Sequence, residues 1–427
     1  MIKIYDKKNT SCLFRPDLIV WFPILLLCCF FISGIMPVPA FALTSDQLRN
    51  TADGIEDVAL STASAPSYIL RGDWEAPDVL LIVEYAEWQE SIDLIISAAH
   101  NDRTPLYILM NRDDEHYREN ILQAEQDSNS TLLNLSLDTP WVRDYGPLQL
   151  KAHNGSVKWI DFAYSNQRTH DDSVPDKLAR YMGASIKDGD YFLDGGAVIS
   201  NGNGLCAITE NSLEEAAVDA FNIIEFEGFR DILGCKELVV LPALTGESTG
   251  HADIIAQFLS PSIVAVAQVN QEHTYVIAAE LEEAVELLKK AAENISQPLK
   301  VIRLPLIVEV DFFYSYINGT RLKNTYLIPS YHNVPSEIEQ IAINVLQSVL
   351  PDIELSSIPA ETIVKRGGAI HCITLGLNLP GNADEVDFWV KRTRNALSSG
   401  SMLFNEPEKA IRLITGQSNK NENLMPL

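Results

Sequence analysis

The segment RGGAIHCIT at Arg366–Thr374 has a counterpart in DGGAVISNG at Asp194–Gly202, and one of the differences between them concerns a possible nucleophile. Each contains Gly-Gly-Ala followed by an apolar residue, but Ser200 stands in one copy where Cys372 stands in the other. A double glycine lets the backbone approach a ligand closely because no side chain intervenes. The pair indicates an internal repeat and makes Cys372 a candidate nucleophile, with a buried, inert cysteine as the alternative.

A longer pattern also recurs along the chain. It consists of an apolar run of strand length, a polar loop and an amphipathic helix, with copies near residues 80, 205, 263 and 326. Runs rich in Val, Ile and Tyr are typical of strands, and apolar residues at helical spacing are typical of helices that pack on a sheet. Since no Pro/Ser-rich linker interrupts the pattern, we expect a single α/β domain over residues 43–415 and a flexible polar tail at 416–427.

The N-terminus has the features of a secretory signal peptide. Basic residues precede an apolar run at residues 18–35, and Ala40 and Ala42 follow with the spacing of a cleavage site. This pattern predicts a signal peptide at residues 1–42 and an exported protein, periplasmic or secreted. An uncleaved membrane anchor is the less favoured alternative, since a run of this length could span a bilayer. No later segment is as long and apolar, so we expect no membrane contact after the leader is removed.

The chain is strongly acidic, with a formal net charge of −26 at pH 7. Residues 1–42 carry four basic and two acidic residues, so their removal leaves a net charge of −28. A surface of this sign repels nucleic-acid phosphates and attracts cations. We therefore expect no nucleic-acid partner, while solubility alone remains a second explanation of the charge.

Three of the six cysteines remain after the predicted cleavage, namely Cys206, Cys235 and Cys372. An odd number of cysteines in an exported protein indicates a free thiol. Cys206 and Cys235 lie in the apolar contexts GLCAI and LGCKEL, which favour two buried, inert thiols. A disulfide between them in an oxidising compartment is the alternative.

The segment TGHADII at Thr249–Ile255 holds a second set of candidate groups. If it forms a strand, His251 and Asp253 point to the same face, where a histidine and a carboxylate can serve in acid–base chemistry. They could also ligate a metal, but no HxxxH or CxxC motif supplies further ligands. A satisfied core histidine beside a capping aspartate is the third interpretation.

The segment TPWVRDYGPL at Thr139–Leu148 is the third candidate. Asp144 with an aromatic neighbour, Trp141 or Tyr145, would make a cation site by charge and cation–π contact. A structural ion pair between Arg143 and Asp144 is the alternative.

In chain order, WVRDYGP, FLDGG, TGHAD and RGGAIHCIT resemble the motifs of the agmatine deiminase and bacterial peptidylarginine deiminase family, a branch of the guanidino-group-modifying enzymes. The resemblance extends from about Trp74 to Thr374. It implies a five-bladed, pseudo-symmetric α/β propeller of ββαβ-type units, which accounts for the repeats. It implies neither a metal nor an organic cofactor.

The resemblance also implies roles for individual residues. Cys372 matches the nucleophile, His251 the catalytic histidine, and Asp144 and Asp253 the two carboxylates that hold the guanidinium. Asp194 occupies the position of an acidic residue before the double glycine. Trp141 belongs to the same substrate site through its motif.

The implied reaction is hydrolysis of a C–N bond in a small guanidino substrate or an arginine-containing peptide. A thiouronium on Cys372 forms with loss of ammonia, and water then releases the ureido product, so that an arginine derivative becomes citrulline. The alternatives are an agmatine deiminase that produces N-carbamoylputrescine, an exported cationic-amine binding protein without turnover, a metallohydrolase, and an amidino transferase.

The segment DFAYSNQRTHDDSVP at Asp161–Pro175 resembles the peptidylarginine deiminase branch, in which two arginines grip a substrate carboxylate. Arg168 matches one of them, while Asn166 stands at the position of the other. Arg366 replaces a third glycine of many relatives and is a further cation that could act on Cys372 or on a carboxylate. The resemblance therefore leaves the guanidino substrate open.

Overall fold

The structure is a computed structural model that describes residues 68–111, 129–165, 167–270, 274–310 and 312–379. The predicted signal peptide, Asn166 and the predicted C-terminal tail lie outside these residues. All described residues belong to one compact unit of the chain.

Eighteen strands form five sheets in the described part of the chain. The strands are β1 Tyr68–Leu70, β2 Val79–Val83, β3 Leu106–Asn111, β4 Ser130–Leu135, β5 Leu148–Ala152, β6 Val157–Ala163, β7 Ile186–Phe192, β8 Val198–Ser200, β9 Leu205–Thr209, β10 Glu237–Leu241, β11 Ala256–Ser260, β12 Ile263–Gln268, β13 Lys300–Glu309, β14 Phe312–Ser315, β15 Thr320–Arg321, β16 Thr325–Ser330, β17 Glu354–Pro359 and β18 Thr374–Leu377.

The α-helices within the described ranges alternate with these strands. They are α1 Gln89–Asp102, α2 Val142–Tyr145, α3 Thr169–Asp172, α4 Val174–Met182, α5 Glu210–Glu215, α6 Ile223–Ile232, α7 Ala252–Ile255, α8 Tyr275–Asn294, α9 Ser336–Val349 and α10 Glu361–Val364. Short 3-10 turns occur at Ala86–Trp88 and Gly195–Ala197.

Each sheet repeats one arrangement, which makes it one blade. An antiparallel strand pair is followed by a helical crossover and a parallel third strand, as in β8, β9 and β10 or in β11, β12 and β13. The blades are β18-β2-β3-β4, β1-β5-β6-β7, β8-β9-β10, β11-β12-β13-β14 and β15-β16-β17. The predicted five-bladed α/β propeller of ββαβ-type units is thus confirmed.

The ring of blades is closed by the two ends of the described chain. Strand β18, near the end, pairs antiparallel with β2, near the start, and Thr374 lies opposite Ile82. Arg143 joins the same closure, because its Nε donates to the carbonyl oxygen of Thr374 at 3.2 Å. This pairing fixes the segment that carries Cys372 against the N-terminal part of the domain.

The helices pack by the apolar faces that their sequences contain. Along α8 the buried residues recur at helical spacing from Ile277 to Ala292, and β2 is buried at all five positions between α1 and its neighbouring blade. A helix with one apolar stripe gains stability by covering a sheet in this way. The core therefore lies between each sheet and its helix, and the loops at the strand ends are available to carry functional side chains.

The two repeated Gly-Gly-Ala segments are not equivalent in structure. Ser200 lies at the end of strand β8, and its hydroxyl donates to the carbonyl oxygen of Leu70 at 2.9 Å. Cys372 lies in the turn before strand β18. The match of serine to cysteine is therefore a similarity of sequence and does not place the two side chains alike.

Cys206 and Cys235 form a disulfide in the third blade. Both residues are buried, Cys206 on β9 and Cys235 just before β10, which runs parallel to it. The interpretation as two buried, inert thiols is wrong, because the parallel pairing brings the two side chains together. Cys372 is the free cysteine of the described residues.

The described helices include none with the length and apolar character needed to cross a membrane.

Candidate active site

The site is built from five turns, one from each blade, and each turn leads into a strand of its blade. These turns carry Asp144 before β5, Gly196 before β8, Asp253 before β11, Asn318 before β15 and Cys372 before β18. Hydrogen bonds connect these turns to one another. Gly196 N donates to Asp144 Oδ1 at 3.2 Å, and Asn318 Nδ2 donates to the Asp253 carbonyl oxygen at 3.3 Å. His371 N donates to the Asn318 carbonyl oxygen at 3.0 Å. Groups far apart in sequence therefore meet at one point.

The double glycine of DGGA marks that point. A Cβ on Gly195 would lie 2.1 Å from the carbonyl oxygen of Arg143, which leaves room only for glycine. A Cβ on Gly196 would lie 2.8 Å from both Asp144 Oδ1 and His251 Nδ1, and 3.0 Å from Asp253 Oδ2. The three predicted side chains therefore surround the α-carbon of Gly196, and the absence of a side chain there keeps the space open.

His251 lies among carboxylates. Its Nδ1 is 3.7 Å from Asp144 Oδ1, and its Nε2 is 3.4 Å from Asp194 Oδ2. Burial opposes the charge on the ring, but Asp144, Asp194 and Asp253 outweigh burial and raise the pKa of His251 to about 10. A histidine in this environment carries a proton at neutral pH and can donate it to a leaving group.

The segment at His251 forms a short helical turn and not a strand. His251 is the N-cap of α7, and Asp253 lies within this single helical turn. Gly250 adopts a positive φ of 67°, and the Glu247 carboxylate accepts a hydrogen bond from its N–H at 2.6 Å. The side chains still converge, because the turn wraps them around the same point.

Asp253 connects the thiol to a second histidine. Its Oδ2 accepts from His371 Nδ1 at 2.7 Å and lies 3.7 Å from Cys372 Sγ. Its Oδ1 is buried and has no hydrogen-bond partner among the described residues. A buried carboxylate oxygen without a partner is costly, and a ligand that donates N–H groups would satisfy it.

Cys372 is buried and has acidic neighbours. Burial, Asp253 and Asp144 together raise the pKa of the Cys372 thiol well above its ordinary value. Asn318 Oδ1 lies 3.5 Å from Sγ and can accept from the thiol. The free protein therefore holds a neutral thiol, which a cation bound between the two carboxylates would help to ionise.

Burial also raises the pKa of Asp144 to about 7, against the attraction of His251 and with the help of Asp194 and Asp253. The alternative interpretation of Arg143 and Asp144 as an ion pair is wrong, because Arg143 Nη1 pairs with Asp73 Oδ1 at 3.0 Å. Asp144 is thus available to a ligand.

The Trp141 ring packs near the Cys372 thiol. A Cβ on Gly368 would lie 2.7 Å from the Trp141 ring and 3.1 Å from Cys372 Sγ, so the ring and the sulfur both pack close to this glycine. Trp141 also contacts Trp88, with 5.1 Å between the ring centroids. The second glycine of RGGA is needed for this close packing.

The Tyr164 side chain lies between Arg168 and the carboxylates of Asp144 and Asp194. It is exposed, and its Nη1 donates to the Tyr164 hydroxyl at 2.5 Å. Tyr164 is buried, and Asp144 and Asp194 contribute, after burial itself, to raising its pKa. Arg168 therefore stands at the solvent side of the site and does not contact the thiol or the histidine.

Arg366 is further from the chemistry than its position near Cys372 in sequence indicates. Its Nη2 pairs with Glu87 Oε2 at 2.8 Å, and its side chain is 58% exposed. In the described part of the chain, Arg366 pairs with Glu87, and the hydrogen-bond partners of the Cys372 thiol are Asp253 and Asn318.

A cleft of about 230 Å³ adjoins Asp194. It is lined by Tyr164, Phe192, Leu193, Asp194, Ala197, Ser212 and Glu215. Asp194 belongs both to this cleft and to the surroundings of His251, with Oδ2 3.4 Å from His251 Nε2. Its acidic and aromatic lining suits a cationic ligand.

Three polar residues of the site carried no predicted role, namely Asp73, Asn318 and His371. The one usable signal was for Asn318, because SYINGT at 315–320 leads into a strand of its blade as the other functional turns do. Among the described residues no cluster of His, Cys, Asp and Glu has the geometry of a metal site.

Comparison with known proteins identifies a matching family and several relatives. Residues 77–377 match the model of the Porphyromonas-type peptidyl-arginine deiminase family. The chain is 22% identical over 359 residues to a putative agmatine deiminase of Mycoplasma mycoides, covering 74% of this chain and 96% of the relative. It is 26% identical over 261 residues to a putative agmatine deiminase of Streptomyces avermitilis, covering 56% and 74%.

Solved structures share the fold at low sequence identity. An agmatine deiminase of Enterococcus faecalis superposes with a TM-score of 0.63 at 19% identity, covering 74% of this chain and 98% of the other. A putative arginine deiminase of Porphyromonas gingivalis superposes with a TM-score of 0.62 at 20% identity, covering 74% and all of the other chain.

Proposed function

The chain belongs to the Porphyromonas-type peptidyl-arginine deiminase family, and from this premise we propose that it hydrolyses a guanidino group to a ureido group and ammonia. The reaction makes it a hydrolase of C–N bonds in linear amidines. Cys372 is the nucleophile, His251 the acid and base, and Asp144 and Asp253 the carboxylates that hold the substrate.

One observation carries this proposal. Asp253 presents a buried, unpartnered Oδ1 while its other oxygen lies 3.7 Å from the thiol of Cys372. A guanidinium is planar and has N–H donors along its edges, which suit a carboxylate. A guanidinium bound at Asp253 and Asp144 would place its central carbon beside a sulfur nucleophile.

The first half of the reaction follows from the charges. A bound guanidinium offsets the carboxylates that raise the pKa of Cys372, so the thiol more readily releases its proton to water and becomes a thiolate. The thiolate attacks the central carbon and forms a tetrahedral adduct. His251 donates its proton to the leaving nitrogen, and ammonia departs to leave an S-alkylthiouronium on Cys372.

The second half returns the enzyme to its starting state. His251, now neutral, accepts a proton from a water molecule that attacks the same carbon. The C–S bond breaks, and the hydroxyl of the adduct gives up its proton as the neutral ureido product leaves, so that the thiol is restored. No further co-reactant is required for atom balance.

The experiment that tests the function measures ammonia release and ureido formation with agmatine, free arginine, and short peptides with internal or terminal arginine. We expect turnover of at least one of them. Saturable binding of every compound without ammonia release would instead support the alternative of an exported cationic-amine binding protein. The complete set of Cys372, His251 and both aspartates argues against that alternative.

For the substrate we propose an arginine derivative with a carboxylate, as in the peptidylarginine deiminase branch, which would make the product a citrulline. The support is Arg168, whose guanidinium reaches the site through Tyr164. Agmatine is the second candidate, and the acidic cleft at Asp194 and Glu215 favours it, since agmatine carries an amine in place of the carboxylate.

Arg168→Ala separates these candidates. If the substrate presents a carboxylate, loss of a charge-assisted hydrogen bond should raise its KM by about one to two orders of magnitude, matching roughly 1.5–3 kcal/mol. Activity on agmatine should stay nearly unchanged. The measurement is the ratio of kcat/KM for arginine-type substrate over agmatine in both proteins; an equal ratio would remove Arg168 from the site and favour agmatine.

We also propose that the protein is exported. The support is the N-terminal pattern together with the Cys206–Cys235 disulfide, because disulfides persist mainly in oxidising compartments. Cell fractionation should find the protein outside the cytoplasm, and N-terminal sequencing should start at Leu43. A cytoplasmic protein that begins at Met1 would contradict export, and a membrane-bound protein with an intact N-terminus would favour the anchor.

A further inference from the structure

A buried chain of charged groups lies behind the carboxylate that faces the thiol. His371 is 1% exposed, and its Nδ1 lies 2.7 Å from Asp253 Oδ2. Its Nε2 lies 3.6 Å from Asp73 Oδ1, and Asp73 in turn pairs with Arg143 at 3.0 Å. These residues come from four separate segments of the chain, so their alignment is a product of the fold.

The two oxygens of Asp253 have different surroundings because of this chain. Oδ2 accepts the hydrogen bond from His371, while Oδ1 is buried without a partner in the described structure. A carboxylate with no anchor can rotate about its χ2 torsion, which is broad and roughly two-fold. The hydrogen bond removes that freedom.

We propose that His371 is a positioning residue, which donates from Nδ1 to Asp253 Oδ2 and thereby fixes the orientation of the carboxylate in which Oδ1 is left free to accept from the bound guanidinium or amidinium group. The inference rests on the proposed function, since it assigns Asp253 to the substrate cation. His371 itself does not touch the substrate and acts through Asp253.

The charges around His371 support a fixed donor. An ionised carboxylate only accepts hydrogen bonds, so Nδ1 carries the proton. Burial and Arg143 oppose a positive ring, but Asp73 and Asp253 outweigh them and raise the pKa of His371. Cys372, His251 and Asp144 are the other titratable groups near the Asp253 carboxylate. A protonated ring that lies between the carboxylates of Asp73 and Asp253 is held in one orientation by both.

A purely structural role predicts something different. The backbone N–H of His371 already donates to Asn318, at 3.0 Å to its carbonyl oxygen, and a side-chain substitution leaves that bond in place. If the ring only fills space, any replacement that folds should affect cationic and neutral reagents at Cys372 alike. If His371 instead positions Asp253, a substitution that removes the Nδ1 donor should slow the reaction of the cationic reagent more than that of the neutral one.

The test therefore compares two alkylating reagents of nearly the same shape, 2-chloroacetamidine, which is cationic, and 2-chloroacetamide, which is neutral. Both transfer a carbon to the Cys372 sulfur with loss of chloride. The ratio of their second-order rate constants at Cys372, followed by peptide mapping, reports how well an amidinium is held beside the thiol. A change in thiol ionisation affects both reagents and cancels in the ratio.

The variants are His371→Asn and His371→Gln. The Asn amide can place an N–H near the position of Nδ1, whereas the Gln amide reaches the position of Nε2 and leaves Asp253 without its donor. We expect the ratio to fall about ten- to hundredfold in His371→Gln, as for loss of a hydrogen bond to a charged group. In His371→Asn it should stay within about threefold of wild type.

The outcomes are distinguishable. A wild-type ratio near one would overturn the proposed function, because no carboxylate pair would then be holding the cation. A high wild-type ratio that persists in a folded His371→Gln protein overturns the inference alone. If His371→Gln does not fold, a tenfold loss in a folded His371→Asn protein overturns it equally, since that variant keeps the donor. Thermal unfolding of each variant establishes folding.

Discussion

Cys372→Ser should release no measurable ammonia from a substrate that the wild-type protein turns over, with kcat/KM lower by roughly 10⁴-fold or more. A serine hydroxyl at neutral pH is a far poorer nucleophile than a thiolate, and His251 is protonated at neutral pH and so cannot take the hydroxyl proton. The thiol Sγ lies 3.7 Å from the acceptor Asp253 Oδ2 and 3.5 Å from the acceptor Asn318 Oδ1. Both can accept from a hydroxyl as they do from the thiol, so the fold should remain.

The control for this variant is substrate binding. Asp144 and Asp253 are intact in Cys372→Ser, so saturating substrate should still raise the unfolding temperature, as any ligand that binds the native state does. Chloroacetamidine should label Cys372 in the wild-type protein and find no reactive site at position 372 in the variant. Wild-type turnover by a folded serine variant would rule out the thiouronium mechanism.

The fold could be predicted because its signals are local and repeated. Each blade contains an apolar run and an amphipathic helix, and these patterns reflect burial of one face of each element. The Gly-Gly-Ala segments were also informative, since close packing at Gly195 and Gly368 allows no side chain. Such constraints are visible in sequence because a single residue type satisfies them.

The interior of the site could not be predicted in the same way. His371 contacts Asp73 and Asp253, which are separated from it by hundreds of residues in one case and more than a hundred in the other. Sequence spacing carries no information on such distances. Cys206 and Cys235 illustrate the same limit, because only the parallel pairing of β9 with β10 brings them together.

Local conformation at His251 was also beyond the sequence pattern. The helix α7 has only four residues, which is too short to produce a helical periodicity. Its start depends on the Glu247 carboxylate and on Gly250, both of which lie in a loop without an apolar pattern. The motif identified the residues, and the loop geometry determined how they are presented.

The second large effect is expected for Asp253→Asn. Asparagine keeps the shape of the side chain, but one oxygen becomes an N–H₂ group. This group would face a donor on either side, the ring of His371 or the N–H groups of the guanidinium. Loss of one charged partner at a desolvated site costs about 2–5 kcal/mol, or roughly thirtyfold to several-thousandfold in kcat/KM. Steady-state ammonia release measures the loss, and thermal unfolding establishes folding.

Asp144→Asn should produce a loss of the same order and also change the pH profile. Burial raises the pKa of Asp144 to about 7, so in the free protein the carboxylate gains its charge as pH rises through that value. A guanidinium is held by the charged form, so wild-type kcat/KM should rise through about pH 7. In Asp144→Asn that limb should be absent, whereas Asp253→Asn should keep it at a lower level.

Asp161→Asn is the matched control for this limb. Burial raises the pKa of Asp161 to about 7 as well, but its acidic neighbours are Asp172, Asp176 and Asp188, none of which belongs to the site. Its replacement should leave both the limb and kcat/KM nearly unchanged. If the limb instead follows Asp161, or survives in Asp144→Asn, a different group titrates near pH 7. If both site variants behave like wild type, the guanidinium is not held by Asp144 and Asp253, since a cation bound between two buried carboxylates cannot lose either charge without weaker binding.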